Sequence, residues 1–182
     1  VKTWRKNKVA VIWVGENNEE RVITYGELYR QVNRCANALK KLGIEKGDRV
    51  TIYLPKVPEQ IVAMLACARI GAIHSVVFGG FSAQSVRDRV QDAGAVMVIT
   101  ADEQLRGGKQ LPLKAIVDEA IALGGCESVK DVIVYKRTGG QIAWNPARDR
   151  WLHDEMAGQP ATCEPEWVEA EHPLFLLYTS GS

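Results

Sequence analysis

Arg49-Val-Thr-Ile-Tyr-Leu54, Pro58-Glu-Gln-Ile-Val-Ala-Met-Leu-Ala-Cys-Ala-Arg-Ile70 and Ile73-His-Ser-Val-Val-Phe78 follow one another with only short joins between them. The first and third are apolar runs rich in β-branched residues, the composition of a strand. The second has helical length, opens on a proline and is closed by Gly71. Strand, helix and strand joined this tightly make a βαβ unit, whose strands lie parallel. Outward from it the alternation continues. Further strands are expected at Val96–Thr100, Asp131–Tyr135 and Leu174–Tyr178, and helices at Tyr25–Leu42, Ser82–Ala93 and Leu113–Leu123.

Thr24 and Glu27 carry the spacing of a capping box for the first of these helices, and Gly43 closes it. Ahead of it, Val9–Val14 and Arg21–Thr24 are separated by a polar turn short enough for an antiparallel hairpin, so the fold class is α/β with a mixed, largely parallel sheet flanked by helices. From Thr138 to Pro173 periodicity is poor and Pro, Trp, Asp and Glu are frequent, which reads as a long surface excursion; Trp144, Trp151 and Trp167 within it are expected to pin loops to the body.

The 182 residues suffice for one real core. With 23 Lys and Arg against 22 Asp and Glu, the formal charge of +1 gives no overall field for a polyanion, so no nucleic-acid partner is expected. No apolar run reaches membrane-span length and the opening residues lack a signal peptide's apolar stretch, so a cytoplasmic protein with no membrane partner is expected. Cys35, Cys67, Cys126 and Cys163 form no C-x-x-C pair, and His74, His153 and His172 lie far from them, so no metal is expected to be held here. The chain opens on Val1 and stops in a loop just after an apolar run, and so reads as an internal piece of something longer.

Three strand ends carry candidate chemistry. After Leu174–Tyr178 come Thr179, Ser180, Gly181 and Ser182, whose hydroxyls and glycine suit a phosphate but also suit an ordinary turn. After Val96–Thr100 come Arg106-Gly107-Gly108-Lys109, two cations around a Gly pair where open α/β sheets bind ligands; alone this is also a solvated basic loop. After Ile73–Phe78 come Gly79-Gly80 and the cap Ser82, either an anion site or a tight strand-to-helix turn. Asp102-Glu103 does not read as an acid/base pair, because adjacent side chains diverge and Arg106 is near enough to neutralise one.

Thr24-Tyr-Gly-Glu-Leu28, Gly47-Asp-Arg-Val50 and Tyr178-Thr-Ser-Gly-Ser182, in this order, resemble the adenylate-forming superfamily of acyl-CoA ligases. Gly71-Ala-Ile-His-Ser-Val-Val-Phe-Gly-Gly-Phe-Ser82 and Thr100-Ala-Asp-Glu103 with Arg106–Lys109 are similar to its acetyl-CoA and propionyl-CoA synthetase branch. The resemblance implies a partial, large N-terminal AMP-binding domain over 1–182, without the mobile C-terminal domain. It implies that acetate, ATP with Mg2+, and coenzyme A react through acetyl-AMP to acetyl-CoA, AMP and pyrophosphate, with propionate as the alternative acid. By match it assigns coenzyme A to Gly79, Gly80, Arg106, Gly107, Gly108 and Lys109, and the first half of the ATP phosphate loop to Thr179, Ser180, Gly181 and Ser182. It assigns no catalytic residue and no metal ligand to this stretch, which is therefore expected to be inactive by itself. Lys109 stands where many relatives have arginine, so the charge is kept and the planar fork is not. From the residues alone, a non-catalytic module binding coenzyme A or a nucleotide stays open.

Overall fold

A computed structural model describes residues 3–179. A 3-10 turn at Trp4–Asn7 leads into β1 (Val9–Val14) and β2 (Glu20–Thr24), the expected antiparallel hairpin, which stands as its own two-stranded sheet. The helix α1 (Tyr25–Lys41) starts where the capping box predicts: Thr24 Oγ1 accepts from Glu27 N at 3.2 Å and Glu27 Oε2 accepts from Thr24 N at 2.8 Å. Gly43 follows at φ +83, the left-handed conformation that ends a helix.

There follow β3 (Arg49–Tyr53), α2 (Pro58–Arg69), β4 (Ile73–Val76), α3 (Ala83–Ala93), β5 (Met97–Ala101), β6 (Gln104–Arg106), β7 (Lys109–Leu111), α4 (Leu113–Ala122), β8 (Asp131–Tyr135), β9 (Asp149–Trp151), α5 (Leu152–Met156) and β10 (Phe175–Leu176). The main sheet has the order β10-β4-β3-β5-β8-β9, and every pairing in it is parallel. The chain thus moves from β3 to β4 on one side and then crosses back to β5, β8 and β9 on the other. With crossovers of one hand, that reversal puts α2 and α3 on opposite faces. Accordingly α1 packs with α2, and α3 with α4. Covered on both sides, Val50, Ile52, Val98 and Ile99 are fully buried, each stabilising the fold by about 1.5–3 kcal/mol.

Two regions depart from the sequence reading. Thr138–Pro173 is only partly a surface excursion, because β9 pairs with β8 and Asp149, Leu152 and Cys163 are buried. Asp149 explains the docking: its carboxylate meets Lys114 Nζ at 2.8 Å and Arg148 Nε at 3.0 Å, and Lys114, itself fully buried, also holds Asp118 at 2.8 Å. Burial opposes ionisation of Asp149, but the Asn145 N–H and these two cations outweigh it and hold the carboxyl below its ordinary value. Trp144 stacks on Trp151 with centroids 4.7 Å apart, whereas Trp167 is 86% exposed and only its backbone carbonyl is held, by Lys46 Nζ at 3.3 Å. The last strand is shorter than expected: Phe175 and Leu176 alone pair, with His74 and Ser75.

Candidate functional site

The strand order reverses at β3, between β4 and β5, and in open α/β sheets ligands bind beyond the carboxyl ends of the strands at such a point. A cleft of about 280 Å³ opens there, lined by Lys56 after β3, Phe78 after β4, Gln104 and Arg106 after β5, and Trp13 and Arg137 above them. A smaller hollow of about 200 Å³ adjoins it through Lys56, Phe78 and Gln104 and reaches Gly79.

The turn between β4 and α3 is fixed from three sides. Val77 N donates to Ile52 O at 2.9 Å, the buried Tyr53 donates its hydroxyl to Phe81 O at 2.8 Å, and Gln104 Nε2 donates to Gly79 O at 3.1 Å. Gly79 and Gly80 allow this close approach, since a Cβ on Gly79 would strike the Gln104 side chain and one on Gly80 would strike Arg106 and Phe78. Gly79 is needed for packing against the buried Gln104 of β6, Gly80 lets the exposed Arg106 and Phe78 side chains close over the turn, and neither glycine has a positive φ. At the far end Ser82 Oγ caps α3 by accepting from Ser85 N.

The predicted basic loop is a second hairpin. β6 and β7 pair antiparallel, and Gly107 and Gly108, at φ +57 and +72, form its two-residue turn. Arg106 and Lys109 are its closing pair, directly opposite each other in register, and both are exposed. The Arg106 guanidinium lies over the Phe78 ring, 4.8 Å from its centroid. The structure therefore brings Gly79, Gly80 and Arg106 into one cluster and leaves Gly107, Gly108 and Lys109 at the hairpin tip beside it. Among the described residues neither Arg106 nor Lys109 has an ion-pair partner.

The rest of the cleft was not foreseen from the sequence. Trp13 Nε1 donates to Lys56 O at 2.7 Å, Arg137 lies over the Trp13 ring at 5.3 Å and pairs with Glu19 at 2.7 Å, and Gly108 N reaches Glu16 Oε2 at 3.4 Å. The two hairpins thus meet at their tips. Lys56 carried a signal, a cation just past a strand's carboxyl end; Trp13 and Arg137 carried none.

Asp102 is buried, but Arg106 is not what satisfies it. Its carboxylate accepts from the backbone N–H groups of Glu103, Arg137 and Gly139 at 2.7–2.8 Å, which makes it a strut for the loop after β8. Thr179 is the last described residue, and Ser180, Gly181 and Ser182 lie outside the described residues. Among the described residues no three His, Cys, Asp or Glu side chains cluster as a metal site, and no helix is long and apolar enough to cross a membrane.

The family of AMP-binding enzymes matches residues 1–182. An acetyl-coenzyme A synthetase of Cupriavidus necator is 63% identical over 176 residues, covering 97% of this chain and 27% of that protein. One of Burkholderia lata is 65% identical over 175 residues, covering 96% and 26%. Among solved structures, an acetoacetyl-CoA synthetase from Streptomyces lividans superposes with a TM-score of 0.87 at 33% identity, over 97% of this chain and 26% of that one. The chain therefore spans about a quarter of the length of the relatives it matches.

Proposed function

The chain belongs to the AMP-binding enzyme family, and from that premise we propose that it is part of the N-terminal domain of a cytoplasmic acetate–CoA ligase that forms acetyl-AMP and then acetyl-CoA. Its substrates are acetate, ATP and coenzyme A, and its own share of the work is to bind coenzyme A and to begin the loop that holds the ATP phosphates. Curated relatives named acetyl-coenzyme A synthetase at 59–65% identity support acetate as the acid.

The observation that carries the coenzyme A assignment is the closing pair of the second hairpin. Like charges directly opposite each other across a strand pair destabilise it, and Arg106 and Lys109 occupy such positions with no acidic partner among the described residues. An anion spanning them removes the penalty. Coenzyme A has a phosphorylated adenosine end, and the adjoining cleft offers the Phe78 and Trp13 rings for a base and the Lys56 cation for further phosphate charge, Arg137 being paired with Glu19. Gly79 and Gly80 let the Gln104, Arg106 and Phe78 side chains lie directly against the backbone of this site, and Gln104 holds that backbone in place.

For ATP, Thr179 is the only described residue of the assigned loop, and its hydroxyl suits a phosphate oxygen. ATP supplies the adenylyl group: the acetate carboxylate bonds to the α-phosphorus and pyrophosphate leaves, which gives acetyl-AMP. Mg2+ would accompany the ATP phosphates, and among the described residues no three His, Cys, Asp or Glu side chains cluster to hold it.

The test is acetate-dependent release of pyrophosphate from ATP by the complete gene product, repeated with propionate and with Arg106→Ala at limiting coenzyme A. Acetate turnover is expected, with the variant impaired in its coenzyme A requirement and not in adenylation. No acid-dependent release with either acid would refute the ligase reading and leave a module that binds coenzyme A without chemistry.

A further inference from the structure

The strand β10 pairs with β4 through Phe175 and Leu176, Leu174 O also accepts from His74 N at 3.4 Å, and Leu177, Tyr178 and Thr179 belong to no strand. Leu177 is 71% exposed, yet Tyr178 is half-buried again. The Tyr178 hydroxyl donates to Asp92 Oδ2 at 2.6 Å. The Arg89 guanidinium lies 5.2 Å from the Tyr178 ring centroid and 4.5 Å from that of Phe81, and its Nη1 donates to Ser85 O at 3.0 Å. Arg89 and Asp92 are three residues apart on α3 and so share one face of it. Phe81 belongs to the turn that carries Gly79 and Gly80, and its carbonyl is fixed by the buried Tyr53.

We propose that Arg89 and Asp92 are positioning residues, which replace the missing ladder by clamping Tyr178 and so set the phosphate-loop entry at Thr179 against the Gly79–Phe81 turn. This rests on the reading of residues 179–182 as a phosphate loop. A ring alone would anchor the chain apolarly; the hydroxyl bonded to a carboxylate also fixes the rotation of the strand end, and hence the direction in which Thr179 leaves it. Burial and the Asp92 carboxylate hold the phenol up at about 12, so it remains a donor across the working range of pH. Arg89, between two rings, links the coenzyme A side of the sheet edge to the ATP side.

The complete gene product tests this with Tyr178→Phe, Asp92→Asn, Arg89→Met and Arg89→Lys. Tyr178→Phe is expected to raise the ATP KM of acetate-dependent pyrophosphate exchange roughly fivefold, with kcat and acetate KM within about twofold, the loss of one charge-assisted hydrogen bond at a partly exposed site. Arg89→Met raises the KM of both ATP and coenzyme A, and Arg89→Lys restores part of each. A lower melting temperature with both KM values unchanged would mean that the clamp serves stability alone, and would overturn the proposal. ATP affinity measured by calorimetry without any acid separates this from the ligase reading. If no acid supports exchange, that reading fails, while weaker ATP binding by Tyr178→Phe still supports the clamp. Equal binding, or no ATP binding by the unaltered protein, overturns the clamp.

Discussion

Replacing Gly80 with alanine would place a methyl group 2.7 Å from Phe78 Cε1 and well inside contact with Arg106 Nη1. Ordinary contact begins at 3.4 Å, so the ring edge must give by about 0.7 Å and the guanidinium by more. Both are ends of exposed side chains, and the backbone of the turn need not move. The cost therefore falls on the cation–ring contact and on the placement of the charge, about 1 kcal/mol, or a factor of about five in affinity. Gly79→Ala is the matched control. Its methyl would meet the Gln104 side chain, which is 6% exposed and donates to Gly79 O, so the expected damage is a buried hydrogen bond worth about 1–3 kcal/mol of stability. Thermal unfolding and coenzyme A KM of the complete gene product, with pyrophosphate exchange as the reference for adenylation, read the pair. Gly80→Ala should raise coenzyme A KM about fivefold at nearly unchanged melting temperature and exchange rate, and Gly79→Ala should lower the melting temperature. An unchanged coenzyme A KM in Gly80→Ala would refute the placement of Arg106 at the coenzyme A site.

Lys114→Met strips the buried Asp149 of one of its two cations and should cost about 3–5 kcal/mol, seen as an earlier urea transition in the fluorescence of the nearby Trp144–Trp151 stack; a shift below about 1 kcal/mol would contradict the structural role given to the network. Burial holds His74 below its ordinary value, so between that lowered value and about 6.5 the unfolded chain binds the extra proton; stability is fully present above about 6.5 and falls as pH drops below it, and His74→Phe should flatten that slope in melting temperature against pH. All four cysteines are buried, with Cys35 pushed up to about 12, so a thiol reagent should label none of them before unfolding; fast labelling of Cys35 or Cys67 in the native protein would contradict the α1–α2 packing.

What the sequence announced and what it hid divide along physical lines. The helices α1 to α4 and the strands β3, β5 and β8 were legible within a residue or so at most ends, because their patterns reflect burial along one short stretch and their boundaries carry local signals, such as the Thr24–Glu27 box and Gly43. β9 was not legible. Three residues long, it is placed by Asp149, whose partner Lys114 lies on another element and whose charge, read locally, says surface. A carboxylate buried against a lysine is indistinguishable in sequence from two solvated charges. The Trp144–Trp151 pair and the exposed Trp167 make the same point: an identical residue type in one irregular stretch docks or does not according to what the fold places beneath it.

The site shows a further asymmetry. Gly79, Gly80, Arg106 and Lys109 stood out because each lies just past a strand, where topology concentrates ligand contacts, yet the sequence could not say that β6 and β7 close into a hairpin. In a flexible basic loop Arg106 and Lys109 would turn apart and solvate independently, and their charges would cost nothing. Held opposite each other by a two-glycine turn, with Arg106 laid on Phe78 and the turn abutting Glu16 of the first hairpin, they keep a fixed concentration of positive charge at the rim of a cleft that already contains Lys56 and Arg137. Lys109 in place of a planar fork then matters less than it would alone, because the fork at Arg106 supplies direction and the lysine need supply only charge. Lys109→Arg should therefore improve coenzyme A affinity by less than about threefold, whereas Arg106→Lys should weaken it by more than that. A larger gain from Lys109→Arg than loss from Arg106→Lys would show that position 109, not position 106, sets the phosphate geometry.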